Sequence, residues 1–463
     1  MATSYASALA CLESVANELS IAKSEIVPLG SVTGRTTARR YAAHYATPSF
    51  DSSAMDGYAL HSSATMNASR ETPAIFRIAA TIAAGDPLVS MTNATVCRSI
   101  APCAEIMTGA RFPESKDGTK DFDAVVKVED VAFFNLQTSE GLVSCIKVFK
   151  PIARNTNKRF AGNDFHVDEE IVASQTLIRP HHVMALASLG FDEVEVTRKP
   201  RIALWSTGEE LLPVNGAAQS QSKIRDANGP YLEAALRELG VDVKFLGIVR
   251  DDELALRSAL IKHIRAESYD LAITTGAVSK GRYDFVRPAI EHLEGEIHFH
   301  GVAIRPGHPV LFATIPNGRR VLGGCGNCAL GVLEIDHASC RIEKRTAFFG
   351  LPGNPLASAA CLRFFVVPYL RFLQGLPLER GTSAVIEAQS PCHKLEACKE
   401  VARTRLDLFR HGYMDVDEYG CQKVRLSADQ SPAKLRPFAA ANCWVHIPPV
   451  DGQLNGTALC YPL

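Results

Sequence analysis

From Lys199 onward the chain alternates short uninterrupted apolar runs with amphipathic stretches, and few folds accommodate that alternation. "RIALWSTG" (201–208) reads as a buried strand closed by a glycine turn, and "NGPYLEAALRELG" (228–240) as an amphipathic helix ended by Gly240. "VDVKFLGIV" is a second strand, "DDELALRSALIKHIRAES" a second helix, and "YDLAITTGA" another buried strand. "RYDFVRPAIEHLEG" and "GEIHFHGVAI" continue the series as helix and strand. Repeated βαβ units imply a doubly wound α/β domain, a parallel sheet with helices on both faces.

In such sheets ligands bind where the loops leave the carboxyl ends of the strands. Those loops are "STGEELLP", "IVRDDE", "TTGAVSKGRYD", "IRPGHPVLF" and "GLPGNP". The run 275–281 follows a strand and precedes a helix. Its small residues let backbone N–H groups approach a phosphate, and Ser279 and Lys280 add a hydroxyl and a cation. The Walker A spacing is absent, and a glycine-rich turn after a strand is as often structural. "GLPGNP" has the same character: Gly353, the amides from Asn354 onward and Ser358 suit a second anion, or else form a stiff connector. Ser206, Thr207 and Gly208 of the STG turn, with Thr275, Gly276, Arg305 and His308, complete the candidate anion-binding set. Glu210, Asp251 and Asp284 end neighbouring strands, where hard carboxylate oxygens suit a divalent cation shared with phosphates. The bland alternative for each is a helix N-cap or first-turn acid, above all for Asp251 and Asp252.

The rest of the chain has a different texture. "MATSYASALACLESVANELS" has amphipathic helix spacing at Leu9, Leu12, Val15, Ala16 and Leu19 and lacks the features of a signal peptide. Residues 70–150 read as strands joined by turns, a β-rich module, and the last 87 or so positions, from 377 to 463, hold short β-like runs. Lys plus Arg number 49 against 50 Asp plus Glu, which argues against a broad electrostatic grip on nucleic acid or anionic membrane. No run of about 18 uncharged apolar residues suggests a membrane span. The expected compartment is the cytoplasm, and thirteen scattered cysteines fit reduced thiols. Cys325 and Cys328, with His337 and Cys340 near, invite a zinc reading. Without a second CxxC or HxxxH, free thiols in a glycine-rich loop are the stronger reading.

"PSFDSSAMDGYAL" (48–60) keeps neither a period of two nor one of 3.6, which argues against helix and strand alike. Its pattern leaves Asp56 open as either a turn residue or a ligand-facing charge.

In order and at about the right spacing, "FDSSAMDGYAL", "EIMTGARFPE", "LWSTGEEL", "IRDANGPYL", "GIVRDDE", "TTGAVSKGRYDFV", "IRPGHPVLFA" and "GLPGNPLASA" resemble the signature segments of the MoeA family, the molybdopterin molybdenumtransferases. The resemblance runs from about residue 8 to the C-terminus. It implies an elongated N-terminal domain (1–50 and 151–198), an inserted β-rich module (51–150), a MogA-like α/β domain (199–376) and a β-barrel-like C-terminal domain (377–463). It further implies a homodimer in which molybdate enters adenylylated molybdopterin and AMP is released, with Mg²⁺ or another divalent cation. Position by position, it assigns candidate catalytic roles to Asp56, Thr108, Asp164, Glu210, Asp251 and Asp284. A separate molybdopterin adenylyltransferase is expected as supplier, since no second such domain accompanies this one, and apo molybdoenzymes are expected as recipients.

Several positions depart from the family pattern. Ala277 stands for a glycine, Arg282 for an acid, Arg305 and His308 for lysines, and Asn163 for a glutamate, and "NPLASA" stands for NPVSA. Histidine is only partly cationic near neutrality, and arginine grips an oxyanion as a planar fork. "PNGRRVLGGCGNCALGVLEIDHASCRIEKRTAFF" is longer than the short hairpin the family implies before GLPGNP. The alternatives are a divergent paralogue acting on another nucleotide-linked substrate, and a gephyrin-like scaffold.

Overall fold

The computed structural model describes residues 2–19, 24–91, 100–116, 122–138, 141–215, 222–267, 269–279, 284–322, 341–387, 406–417, 420–449 and 457–463. Lys280, Gly281, Arg282, Cys325, Cys328, His337 and Cys340 lie outside those residues. The chain forms two compact units.

The smaller unit comprises Arg40–Ala173 and Pro180–Asp192. Its centre is a six-stranded sheet in the order Val131–Thr138, Gly141–Val148, Ala74–Ile82, Ala101–Ile106, Gly57–Leu60, Ala124–Lys127. The β-rich reading of 70–150 is thus realised, with one correction to the reading of 48–60. Gly57–Leu60 is an interior strand, flanked on both sides, and all four residues are buried. A strand buried on both faces need not alternate apolar and polar residues, so its pattern carried no period of two. Gly57 is required there, because a Cβ would fall within contact distance of the Val126 carbonyl. Just upstream, Ser52–Ser53 pairs antiparallel with Lys158–Arg159. The Lys158 ammonium holds the Asp51 carboxylate at 2.7 Å and lies over the rings of Phe112 and Phe160.

The larger unit comprises Met1–Arg39, Ser174–Arg179 and Glu193–Leu463. Its sheet runs Asp242–Val249, Arg201–Thr207, Leu271–Thr275, Arg341–Leu351, Leu311–Leu322, Glu296–His300. The first four strands are parallel. Ile202, Leu204 and Phe349 face one apolar layer, shared with Leu12, Leu232 and Phe365. Ala203, Trp205 and Phe348 face the other, shared with Leu256, Leu260 and Val286. Burial on both faces explains the unbroken apolar runs. The expected helices are Asn228–Glu238, Glu253–Glu267 and Val286–His292. The sheet is not parallel throughout: Leu311–Leu322 pairs antiparallel with Arg341–Leu351, and Glu296–His300 pairs antiparallel with that strand at the sheet edge. The strand following "GEIHFHGVAI" turns directly back, so no crossover helix sets its direction.

The helix predicted at the N-terminus spans Tyr5–Glu18, with the Ser4 hydroxyl accepting from the Ser7 amide at 3.1 Å, and buries Ala8, Leu12, Val15 and Ala16. The helix after GLPGNP starts at Pro355 and runs to Leu373 through a π turn at Leu362–Val366. It is long and apolar enough to cross a membrane, yet 89% of its most apolar window is buried inside the fold. Near the C-terminus five strands close into a barrel: Asp407–Val416, Gln422–Leu426, Thr382–Ile386, Thr457–Pro462 and Cys443–Ile447. Ile304–Arg305 adds parallel to its Asp407–Leu408 end, which brings the "IRPGHP" loop onto the barrel.

Candidate functional site

Three strands of the larger unit, Arg201–Thr207, Asp242–Val249 and Leu271–Thr275, end at one cavity of about 660 Å³. Thr207, Gly208, Glu210, Asp251, Thr275 and Gly276 line it, and so do Asp284, Gly353 and Asn354. The carboxyl-end rule therefore located most of the candidates from strand endings alone. Gly276 has φ +105°, and a Cβ there would sit 2.5 Å from the Thr207 hydroxyl. Only glycine permits the two strand ends to approach so closely. Its neighbour Ala277 is also left-handed, at φ +53°, a conformation that costs an alanine about 1 kcal/mol.

The hydroxyls predicted to bind anions are largely engaged inside the protein. Ser206, Thr207, Thr275 and Ser358 are all buried. Thr207 donates to the Thr275 carbonyl at 3.2 Å, and the Thr275 hydroxyl donates to the Pro352 carbonyl at 3.0 Å. Ser358 Oγ lies 3.3 Å from Thr275 Oγ1. Thr207 and Thr275 line the cavity, and their hydroxyls are committed to backbone carbonyls; the Ser206 hydroxyl is buried without a hydrogen-bond partner. Ser279 is exposed.

Glu210 is exposed and its carboxylate lies over Gly208. Asp251 Oδ2 accepts from the Glu209 amide at 3.1 Å, which ties two strand-end loops together. Asp252 takes the bland role foreseen for it, accepting from the Ala255 amide at 2.7 Å in the first turn of a helix. Two cavity residues escaped the reading of the sequence. Asp226 is buried, its Oδ1 accepts from the Asn228 and Gly229 amides at 3.0 Å each, and its Oδ2 has no hydrogen-bond partner. Asn228 donates from Nδ2 to Thr275 Oγ1 and to the Gly353 carbonyl. The signal was present in "IRDANG", an Asx turn before a helix, but it reads as a cap.

A second cavity, of about 500 Å³, shares Asn354 with the first. It is lined by Arg305, His308, Arg410, Gln430 and Ser431, among others. Arg305 and His308 are exposed. His308 Nδ1 lies 2.6 Å from the Val302 carbonyl, so Nδ1 carries the hydrogen and Nε2 is the free ring position. Four carboxylates and Arg225 thus line the first cavity, and two arginines and a histidine line the second.

In the smaller unit Asp56 and Thr108 are brought together across the Gly57–Leu60 and Ala101–Ile106 strand ends. Asp56 Oδ1 accepts from the Thr108 amide at 2.7 Å and from its hydroxyl at 2.9 Å. The amide first, and then the hydroxyl, hold the carboxyl below its ordinary pKa. Both residues are exposed. Asp164 is exposed too, in a segment fixed to the Thr47 and Pro48 carbonyls by the amides of Asp164 and Gly162.

Residues 3–190 match the family model for the MoeA N-terminal region (domain I and II), and residues 203–372 match that for a probable molybdopterin binding domain. A molybdopterin molybdenumtransferase of Synechococcus elongatus is 31% identical over 372 residues, covering 80% of each chain. The chain belongs to the MoeA family. A Haemophilus influenzae molybdopterin molybdenumtransferase is 28% identical over 439 residues, 94% of this chain and 92% of that one. A molybdopterin biosynthesis MoeA protein from Pyrococcus horikoshii shares the fold at a TM-score of 0.70 and 22% identity, covering 99% of both chains. Membership makes this a protein of molybdenum cofactor biosynthesis.

Proposed function

We propose that this MoeA protein transfers molybdenum into the cofactor precursor: it binds adenylylated molybdopterin and molybdate, joins molybdenum to the dithiolene and releases AMP. The observation that carries this reading is the pair of cavities that share Asn354, one lined by four carboxylates and the loop residues 275–277 and 353–355, the other by Arg305, His308 and Arg410. The first suits a phosphate-bearing nucleotide, with the N–H groups of Ala277, Gly353 and Asn354 receiving phosphate oxygens, that of Gly276 being held by the Leu351 carbonyl. The second suits an oxyanion such as molybdate, with Arg305 offering a guanidinium fork and His308 its free ring nitrogen.

Phosphates do not enter an acidic cavity alone, and Glu210, Asp251 and Asp284 would hold Mg²⁺ there. Among the described residues no three acidic, histidine or cysteine groups converge as a ready protein cage. One or two carboxylates suffice for Mg²⁺, which keeps waters and completes its shell with substrate phosphates. A cation held by these carboxylates would supply Lewis-acid stabilisation of charge on the phosphate oxygens. The chain's own groups orient the nucleotide, exclude water from the cradle and place the oxyanion beside it.

Asp56, Thr108 and Asp164 belong to the same reaction in this reading, in a homodimer fed by a separate molybdopterin adenylyltransferase. The four domains are proposed to divide as 1–50 with 151–198, 51–150, 199–376 and 377–463. Ala277 in its left-handed conformation favours one second reading, a paralogue with an altered nucleotide-linked substrate. The test is AMP release from adenylylated molybdopterin by the purified full chain, with and without Mg²⁺. Molybdate-dependent, Mg²⁺-dependent release supports transfer, and no release by folded protein rejects it.

A further inference from the structure

Asn228 stands where three site elements meet. It opens the helix Asn228–Glu238 and lines the larger cavity. Its Nδ2 donates to Thr275 Oγ1 at 3.0 Å, on one cradle, and to the Gly353 carbonyl at 2.8 Å, on the other. Thr275 Oγ1 passes the connection on, donating to the Pro352 carbonyl. The Asn228 backbone is itself fixed, since its N–H donates to the buried Asp226 carboxylate. Both amide hydrogens are therefore used to join loops 275–277 and 352–354, and the base of the joint is anchored by a capped helix start.

We propose that Asn228 is a positioning residue for the transfer reaction: its amide clasps the two backbone cradles together, so that both phosphoryl groups of the nucleotide linkage are held in register. The proposal rests on the function proposed above. The physical argument is one of separation of tasks. A single phosphate needs one cradle, which each loop still provides without Asn228. Breaking a pyrophosphate linkage needs both cradles at a fixed separation, and misplacement by about 1 Å costs on the order of a hundredfold in rate. Removing the amide takes the side-chain donor from the Gly353 carbonyl and loosens the outer end of the joint, beyond the point where the Gly276 N–H holds the Leu351 carbonyl and Thr275 Oγ1 the Pro352 carbonyl.

The test compares turnover with simple binding in the full-length protein. Turnover is AMP release from adenylylated molybdopterin with molybdate and Mg²⁺, and binding is AMP affinity by calorimetry with Mg²⁺. Asn228→Ala is expected to lower kcat about a hundredfold while AMP affinity changes by less than about threefold. Thr275→Val should do the same, and the double variant should be no worse than the poorer single one, because both open the same clasp. Thr275→Ser should restore most of the rate. Wild-type kcat in Asn228→Ala overturns the proposal, and so does an equal loss of kcat and AMP affinity with a lowered Tm. If Asn228→Ala does not fold, the Thr275 pair decides: Thr275→Ser as slow as Thr275→Val, or Thr275→Val as fast as wild type, overturns it. Wild-type protein that releases no AMP rejects the function itself, an outcome distinct from active wild type with unaffected variants.

Discussion

The two units present their candidate residues in opposite ways. In the larger unit the site is a cavity lined by carboxylates and by two strand-end loops, which Asn228 and the buried Thr275 join by hydrogen bonds. In the smaller unit Asp56 and Thr108 sit exposed at strand ends, with the Asp56 carboxylate held by Thr108. The cavity has its geometry built in by packing. The Asp56–Thr108 pair has its carboxylate orientation fixed by two hydrogen bonds at the surface. Substitutions in the first should act through the alignment and charge of the cavity walls, and those in the second through one exposed carboxylate.

The largest effect is expected at the cavity carboxylates. Glu210→Gln and Asp284→Asn should each lower turnover on the order of 10² to 10³-fold, with the loss eased by raised Mg²⁺. Titrating Mg²⁺ against rate checks this, and a loss insensitive to the ion would separate these residues from cation binding. The same unit should respond to acid through His411, on the barrel. Burial first, and then the Arg410 charge, lower its pKa to about 4, and the residue is 2% exposed. The unfolded chain takes up that proton near pH 6.5, so stability is full above about 6.5 and falls as pH drops toward 4, by up to about 3 kcal/mol. Urea unfolding at pH 7 and pH 4.5 measures the difference, and His411→Gln should flatten it.

On the exposed pair the expectation is smaller and of another kind. Asp56→Asn should lower turnover about tenfold to a hundredfold without moving the urea midpoint. A shifted midpoint with normal turnover would return Asp56 to the role of a turn residue. Smallest is Ala277→Gly, which removes about 1 kcal/mol of left-handed strain and restores the family's residue, against a comparable entropic loss. A net stability change below about 1 kcal/mol with unchanged substrate preference supports the transferase reading. A gain in transfer rate well above tenfold would favour the paralogue.

The contrast also governs what could be read from the sequence. The α/β series was legible because strands such as Arg201–Thr207 are buried on both faces, and the loops at their ends then located Glu210, Asp251, Gly276 and Gly353. Gly57–Leu60 was misread for a related reason: four buried residues beginning with a glycine carry no period, and the neighbours that make them a strand are 45 to 70 positions away in the chain. The edge strand Glu296–His300 kept its identity but not its neighbours, because its pairing depends on Leu311–Leu322. Asn228 was missed because asparagine at a helix start is ordinarily a cap, and both its acceptors lie far along the chain. The side-chain roles of Thr275 and Ser358 could not be told from the sequence either, since a hydroxyl beneath a loop and one facing a ligand have the same spacing.

The most direct measurement is reconstitution of an apo molybdoenzyme by the purified full chain, supplied with adenylylated molybdopterin, molybdate and Mg²⁺. Active molybdoenzyme should appear with AMP released in step, and Glu210→Gln should abolish both. Folded wild-type protein that binds AMP yet yields neither AMP release nor active enzyme would contradict the account.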